Sequence, residues 1–474
     1  MPILKKTVAA VILAFPVAAM AQSTQELKSE IDALKAKLQQ LERLIEKQSA
    51  AAAAAPAPAA DAVDPAEFNR IRVKVESMED LQESSGFKGL KVSGFIDPTY
   101  IYNRAVGKGS VAFLHNNYSS DPAGAVNDFT QDTFGYDNSY FGGVTLKIEK
   151  EFEGGVKAMV TLRPRRTVSN TYDFGNIIEE ALVTVPFNGL AWRAIAGQVV
   201  SWNGYEYVQS NLKKNITSNL LLDFAGPGFV TGAGVEYLQG KWWARAMAGN
   251  LNVTHDKQGG RNQGAHWRLD YAKGEFLGWG ASGMHGKLFN QRFNYLEADA
   301  YFVRGDVTMM GQVEVGRARN SAFNGDDSQH WGVSVLGAYK FIPTVEGIIR
   351  ADYMDNHKNG GGTPAVTFGS VCQPDLGTDP TGATPFEACG DYRNGFGPGA
   401  VFDHSAGIWT LGNPNRGAKR SALTLGLNWQ YHTNGLLKTE LRYDRSDLNS
   451  FYYWHDDNYK KHNLTFGVQT VVSF

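Results

Sequence analysis

Hydrophobic and polar residues alternate one by one along most of the chain after Leu90. A period of two is typical of a β-strand with one apolar and one polar face. In the clearest case Leu423, Leu425 and Leu427 share one face, and Thr424 lies on the other. The pattern predicts sixteen strands, over residues 89–103, 139–150, 155–166, 176–186, 190–199, 229–237, 241–249, 265–272, 276–288, 294–304, 306–318, 328–341, 344–355, 419–432, 435–450 and 461–474.

The connections between these predicted strands alternate in length. Short ones lie near 151–154, 187–189, 238–240, 273–275, 305, 342–343 and 433–434, and long ones near 104–138, 167–175, 200–228, 250–264, 289–293, 319–327, 356–418 and 451–460. Outer-membrane barrels have short periplasmic turns and long external loops, and sixteen strands enclose an aqueous lumen. The sequence therefore predicts an all-β transmembrane antiparallel β-barrel over residues 87–474. Eighteen or fourteen strands are the alternatives.

The C-terminal strand supports a membrane barrel. Its alternation ends on Phe474, and the chain contains 52 Gly, 20 Tyr, 26 Phe and 10 Trp residues. A strand with such an ending resembles the last strand of bacterial outer-membrane barrels, whose assembly machinery reads it. The alternative is the last strand of a soluble sheet. Abundant aromatic residues are expected for a barrel with aromatic belts at both membrane interfaces.

The N-terminal residues resemble a secretory signal peptide, which we predict over residues 1–21. Lys5 and Lys6 precede a short apolar stretch, and Ala19-Met20-Ala21 forms an A-x-A cleavage site. The chain has 46 Lys and Arg residues against 48 Asp and Glu, and this mildly acidic balance argues against a nucleic-acid partner.

Residues 22–49 are predicted to form a coiled coil, since apolar residues recur at heptad spacing. These residues are Leu27, Ile31, Leu34, Leu38, Leu41 and Ile45. Such a helix is marginal alone in water, so we expect self-association; packing on its own barrel is the alternative. The pattern does not fix the oligomer number. An Ala/Pro linker follows at 50–64, and a short helix is predicted at 65–86.

The two cysteines, Cys372 and Cys389, are predicted to form a disulfide in an exported protein. They supply too few ligands for a metal site, and the acidic residues of the first long loop match no defined calcium loop. We expect no metal, no cofactor and no enzyme activity, because H-E-x-x-H, G-x-S-x-G and Walker A motifs are missing. A Ser-His pair across strands, as in an outer-membrane lipase, is the enzymatic alternative.

The stretch from Trp192 to Glu206 resembles porins of the phosphate-selective O and P type, and Gly234–Tyr237 resembles the entry of that family's next strand. Residues Ser93–Asn103 and the helix-linker-barrel layout are similar to a related porin-like family of unknown function. The N-terminal coiled coil also resembles trimeric porins of the dicarboxylate-transporting kind. These resemblances imply a homotrimer whose connection Val200–Gly228 folds into the lumen. The phosphate porins' arginine ladder is not matched position by position.

Alternation places nearly equal numbers of basic and acidic side chains on the inward face. The triple of arginines at 163–166 would raise the local anion concentration. Binding of external polyanionic lipid is the alternative role for this triple. The pore-lining or solute-binding candidates are Arg163, Arg165, Arg166, Glu206, Lys213, Lys214, Arg245, Arg268, Arg350 and Arg442.

The predicted function is passive diffusion of small hydrophilic solutes, with anions as the expected class, through an outer-membrane porin. The expected partners are further copies of the chain in a homotrimer, outer-membrane lipids, lipopolysaccharide and small solutes. The N-terminal segment would lie in the periplasm. The alternative is a plugged structural barrel whose periplasmic coiled coil tethers a partner, with residues 356–418 large enough to cap the pore.

Overall fold

The structure is a computed structural model that describes residues 89–113, 142–166, 172–173, 177–225, 228–251, 263–272, 276–288, 291–361, 397–453, 455–456 and 458–474. Residues Ser85–Phe474 form one compact unit. The predicted signal peptide, coiled coil, linker and short helix lie outside the described residues. The predicted disulfide between Cys372 and Cys389 also lies outside them. These assignments stay predictions.

Sixteen antiparallel strands form the barrel in the described part of the chain, as the alternation predicts. Their bounds are β1 (Leu90–Ile96 and Thr99–Asn103), β2 (Lys108–Ala112 and Val144–Glu151), β3 (Lys157–Leu162), β4 (Ile178–Asn188), β5 (Trp192–Val200), β6 (Phe229–Gln239), β7 (Trp242–Leu251), β8 (Gln263–Ala272), β9 (Leu277–Leu288), β10 (Gln291–Arg304), β11 (Val307–Ala318), β12 (Ser328–Ile342), β13 (Val345–Asp355), β14 (Lys419–His432), β15 (Gly435–Ser446) and β16 (His462–Ser473).

The barrel closes where β1 pairs with β16. Thr99 lies opposite Gln469, and Phe95 lies opposite Ser473. Gly94 and Phe474 exchange both of their backbone hydrogen bonds, each 2.9 Å long. Closure leaves no open edge in the sheet, as a structure that spans a bilayer requires.

Two of the predicted connections are wrong. The segment 104–138 is not a loop between strands, because a tight turn at Gly107 (φ 72°) joins β1 directly to Lys108–Ala112. The insertion after Ala112 instead interrupts β2, whose second segment pairs with the start of β1. The predicted connection 289–293 is only two residues long. In both places, polar residues next to a strand predicted a loop, although backbone pairing continues through part of the segment.

Short hairpins extend three of the long connections. Arg165–Arg166 pairs with Tyr172–Asp173, and Ala400–Asp403 pairs with Ile408–Leu411. Phe451–Tyr453 pairs with Asn458–Lys460 in the same way. We call this end of the barrel the long-loop end, and the opposite end, with turns such as 433–434, the short-turn end.

Large apolar side chains are exposed on the outer face of the barrel, as expected for contact with lipid. Examples are Val183, Val235, Leu296, Met309, Val335, Ile349, Leu423, Leu425, Leu427, Leu441 and Phe466. Aromatic pairs lie near both ends of the strands. Near the short turns, the ring centroids of Trp242 and Tyr271 are 4.6 Å apart. Near the long loops, those of Trp331 and Tyr353 are 5.2 Å apart. Among the described residues, no helix is long and apolar enough to cross a membrane.

Replacing Leu425 with Arg should destabilise the barrel in lipid vesicles. Leu425 is 48% exposed on the outer face of β14, between apolar neighbours. An Arg at the bilayer midplane costs about 2–4 kcal/mol. Chemical unfolding in vesicles measures this loss, with Gln430→Arg on the inward face of the same strand as the control. Equal unfolding free energies for the two variants would contradict a membrane-facing outer surface.

Candidate functional site

Residues 201–228, which we call the internal loop, follow β5 and turn into the barrel. Trp202 stacks on His266 of β8, with ring centroids 4.9 Å apart, and its amide donates to His266 Nε2 at 2.8 Å. Arg268 of the same strand donates to the Trp202 carbonyl at 3.2 Å. The internal loop therefore lies in the lumen, where the resemblance placed the Val200–Gly228 connection.

The middle of the internal loop is held by amine and amide donors from the wall. Lys438 of β15 donates to the carbonyls of Ser210 and Lys213, at 2.5 and 2.7 Å. Asn428 of β14 donates to the Lys214 carbonyl at 2.9 Å. The Lys438 ammonium has no exposed surface, so these carbonyl oxygens replace its hydration shell.

The next turn of the internal loop rests on one carboxylate and two guanidinium groups. The Glu440 carboxylate accepts the amides of Ile216 and Thr217, at 2.7 and 3.2 Å. Arg350 donates to the Thr217 carbonyl at 2.8 Å. Arg442 donates to the Ser218 carbonyl at 2.6 Å. Charge-assisted hydrogen bonds of this kind are stronger than neutral ones, so this turn is the most firmly held part of the internal loop.

Glu206 connects the two ends of the internal loop. Its carboxylate pairs with Arg350 at 2.8 Å and accepts the Asn219 amide at 2.6 Å. Asn219 in turn caps helix α1 (Leu220–Phe224) by accepting the Leu222 amide at 2.7 Å. An Asn at this position satisfies a backbone donor that the first helical turn leaves open.

Apolar side chains fill the space between the internal loop and the wall. Leu220, Leu221 and Phe224 of α1 have no exposed surface and lie in one cluster with Met354 of β13. The Arg420 guanidinium lies 4.4 Å from the centre of the Phe224 ring. The part of the lumen around α1 is therefore packed rather than open.

The opposite side of the lumen contains a cavity of about 830 Å³, which lies between the internal loop and β1–β8. Its lining includes the charged residues Lys147, Glu180, Glu206, Glu236, Lys241, Arg245, Arg268 and Asp270. A second cavity of about 240 Å³ lies towards the short-turn end and is lined in part by Lys213, Lys214, Lys340 and Glu346. The larger cavity is the described space best suited to a small hydrophilic solute.

Most charges on the wall of the larger cavity are paired with an opposite charge. Arg245 lies 3.4 Å from Asp270, and Arg268 lies 2.8 Å from the same residue. The Arg245 guanidinium also lies 3.8 Å from the Trp243 ring centre and 4.7 Å from that of Trp202. Such pairing fixes the positions of the side chains, and it leaves alternating signs along the wall.

The structure separates the predicted site residues into three groups. Arg350 and Arg442 face inward but have no exposed surface, because the internal loop covers them. Arg163 is also buried, 3.3 Å from Glu179. Glu206, Lys213, Lys214, Arg245 and Arg268 line the cavities. Arg165 and Arg166 form a short strand at the long-loop end.

Sequence reasoning did not select several residues that shape the site. Lys438 and Glu440 were placed on the inward face by alternation, but their role under the internal loop carries no sequence signal of its own. Trp202 occurs within the family-like stretch and is an aromatic residue just after a strand. No group of three potential ligands is placed to hold a metal ion in the part of the chain that the structure describes.

A family model described as "Protein of unknown function (DUF3138)" matches residues 66–266 and 271–474. The chain belongs to this family. Its description names no porin family, so the resemblance to phosphate-selective porins stays a prediction. No curated protein sequence matches this chain.

Several solved structures are similar to this fold at low sequence identity. The anion-selective porin from Comamonas acidovorans has a TM-score of 0.48 and 9% identity, over 81% of this chain and 99% of that one. A loop-deletion mutant of OmpT, an outer membrane protein of Vibrio cholerae, has a TM-score of 0.48 and 10% identity. The match covers 81% of this chain and 99% of that one. OprD from Pseudomonas aeruginosa has a TM-score of 0.40 and 10% identity, and the match covers 82% of this chain and 95% of that one.

Replacing Glu440 with Gln should loosen the internal loop. The change removes the charge that accepts the amides of Ile216 and Thr217, and hydrogen bonds to charged groups contribute about 1.5–3 kcal/mol each. We expect hydrogen exchange at these two amides to be at least tenfold faster. The control is Glu346→Gln, which removes only the 2.6 Å contact with the Lys214 side chain. Unchanged exchange in the Glu440 variant would show that Glu440 does not hold this turn.

Proposed function

We propose that this protein is an outer-membrane porin through which small hydrophilic solutes diffuse passively. The observation that carries the proposal is a closed sixteen-stranded barrel with a lipid-facing apolar surface and a charged cavity beside its internal loop. Barrels of this size enclose an aqueous lumen. The proposed path follows the cavity next to β1–β8, away from the packed part of the lumen.

Anions are the proposed class of preferred solute. Lys241 lines the larger cavity at its short-turn end and makes no ion pair among the described residues. Arg165 and Arg166 lie at the long-loop end of β3 and remain candidates for attracting anions. Since the cavity wall itself carries both signs, the preference would arise at the two ends of the path.

The assembly and location are also proposed. We propose a homotrimer in the outer membrane, with lipids and lipopolysaccharide around it and the N-terminal coiled coil in the periplasm. Because the number of strands is even, the chain enters and leaves the barrel on the same side of the membrane. The lipid-exposed apolar residues of the outer face support the membrane location. No catalytic residue or cofactor is part of this proposal.

A plugged structural barrel is the second candidate. It is favoured by the packing of Leu220, Leu221 and Phe224 against the wall, which fills the part of the lumen around α1. In that case the internal loop would plug the barrel, and the function of the protein would be the tethering of a partner by its periplasmic coiled coil. Conductance distinguishes a constricted channel from a plug.

Single-channel recording of the purified protein in a planar bilayer tests the porin proposal. Under a salt gradient we expect steps in groups of three and a reversal potential biased towards anions. Lys241→Glu should move the reversal potential towards cations, because it reverses a charge at the mouth of the path. Lys419→Gln is the control, since Lys419 lies on the outer face and pairs with Asp355 at 3.2 Å.

The outcomes are distinct. A folded, heat-modifiable oligomer without conductance would contradict the channel and favour the plugged barrel. Conductance with equal reversal potentials for Lys241→Glu and the parent protein would contradict the anion preference at this mouth, while leaving the channel itself supported.

A further inference from the structure

Three cations lie side by side on the outer face of the barrel at the long-loop end. Lys287 of β9 lies directly opposite Arg292 of β10. Arg319, just after β11, donates its amide to the Arg292 carbonyl at 2.9 Å and so continues the same row. All three residues are exposed. Neighbouring residues in such a row are about 5 Å apart, so the row is roughly 10 Å wide.

One described carboxylate, that of Asp327, lies near the end of this row, and its pKa is lowered first by the hydrogen bond from Arg317 and in part by the positive charge of Arg319. Arg317 is two residues below Arg319, and it holds the nearby Asp327 carboxylate with contacts of 2.5 and 3.1 Å. Within the described residues, Lys287, Arg292 and Arg319 make no ion pair. Like charges directly opposite each other destabilise a sheet. The three cations of the row and Arg317 together outnumber the one nearby carboxylate, and this excess indicates an anion from outside the chain.

The next outward-facing residues below the row are polar, namely His285, Asn294 and Arg317, and the apolar surface begins two residues further along β10. Arg292 and Leu296 share the outer face of β10, and Leu296 is 46% exposed. Trp331 lies opposite Val315 on the neighbouring strands and is 40% exposed. A residue advances the strand by about 3.4 Å, so Leu296 begins roughly 13 Å below the row. An anion bound at the row would therefore lie at the edge of the lipid-facing belt.

We propose that Lys287, Arg292 and Arg319 bind the phosphorylated headgroup of an outer-leaflet glycolipid. The guanidinium groups match phosphate in geometry, and the three cations suit a headgroup with more than one phosphate. The acyl chains would pack on the apolar surface beside Leu296. This inference rests on the proposed membrane location, in which the long-loop end faces outwards.

A free phosphate ion shares the chemistry of the headgroup but not the apolar contact. The row lies on the outer face rather than in the lumen, so it is not on the proposed solute path. The exposed apolar surface that begins at Leu296 favours a lipid over a soluble anion.

Native mass spectrometry of the detergent-solubilised protein tests the proposal, with diphosphorylated lipid A as the probe. The variant combines Lys287→Gln, Arg292→Gln and Arg319→Gln. We expect at least a tenfold weaker retention of the lipid by this variant. Lys419→Gln is the matched control, because it removes a cation at the same end of the outer face that already has a carboxylate partner. Inorganic pyrophosphate and a phosphate-free glycolipid complete the comparison.

Equal lipid retention by the triple variant and the parent protein would overturn the proposal. So would equally strong binding of the phosphate-free glycolipid, or displacement of the lipid by equimolar pyrophosphate. Heat modifiability of the triple variant checks that the barrel is folded. Its conductance, recorded on the same preparation, should match that of the parent protein, so failure of the lipid site is distinguishable from failure of the channel.

Discussion

The charge network between the wall and the internal loop determines the shape of the lumen. Arg350, Lys438 and Arg442 have no exposed surface, and each donates to carbonyl oxygens of the internal loop. Glu206 and Glu440 supply the compensating charge inside the same network. Removing one member of a buried pair costs about 3–5 kcal/mol, because the remaining charge is left without a partner. The wall charges and the path of the internal loop therefore depend on each other.

This dependence produces a lumen with two unequal halves. On one side α1 packs its leucines and Phe224 against the wall, and the open space there is the smaller cavity of about 240 Å³ towards the short-turn end. On the other side Trp202 stacks on His266 and borders the cavity of about 830 Å³. A solute path through such a barrel would be off-centre and lined by the strands from β1 to β8. The same barrel presents a lipid-like outer surface, so one alternating sequence provides both a membrane contact and a wet interior.

Most of the strands could be predicted because alternation directly reflects contact with lipid on one face and water or charge on the other. The predicted strand 419–432 has the observed bounds, and neighbouring strands differ by only a few residues. The interruption of β2 could not be predicted, because the turn at Gly107 and the insertion after Ala112 both look like loop. For the site, alternation placed Arg350 and Arg442 inward. It could not show that the internal loop covers them. Periodicity indicates on which face of the sheet a side chain lies, but not which other residues contact it.

The position of the internal loop is the central claim, and a disulfide cross-link tests it most directly. A Cβ added to Gly332 of β12 would lie 3.1 Å from Leu221 Cγ in α1. Leu221 Cβ is one bond from that atom, so the two Cβ atoms would be at most about 4.6 Å apart, close to the roughly 3.5–4.5 Å that a disulfide spans. In a background with both native cysteines replaced by serine, Leu221→Cys with Gly332→Cys should form a disulfide in the folded barrel, detected by mass spectrometry of linked peptides. Leu221→Cys with Glu149→Cys, on the far wall, should not. A linked control pair, or no link between positions 221 and 332, would contradict the structure of the lumen described above.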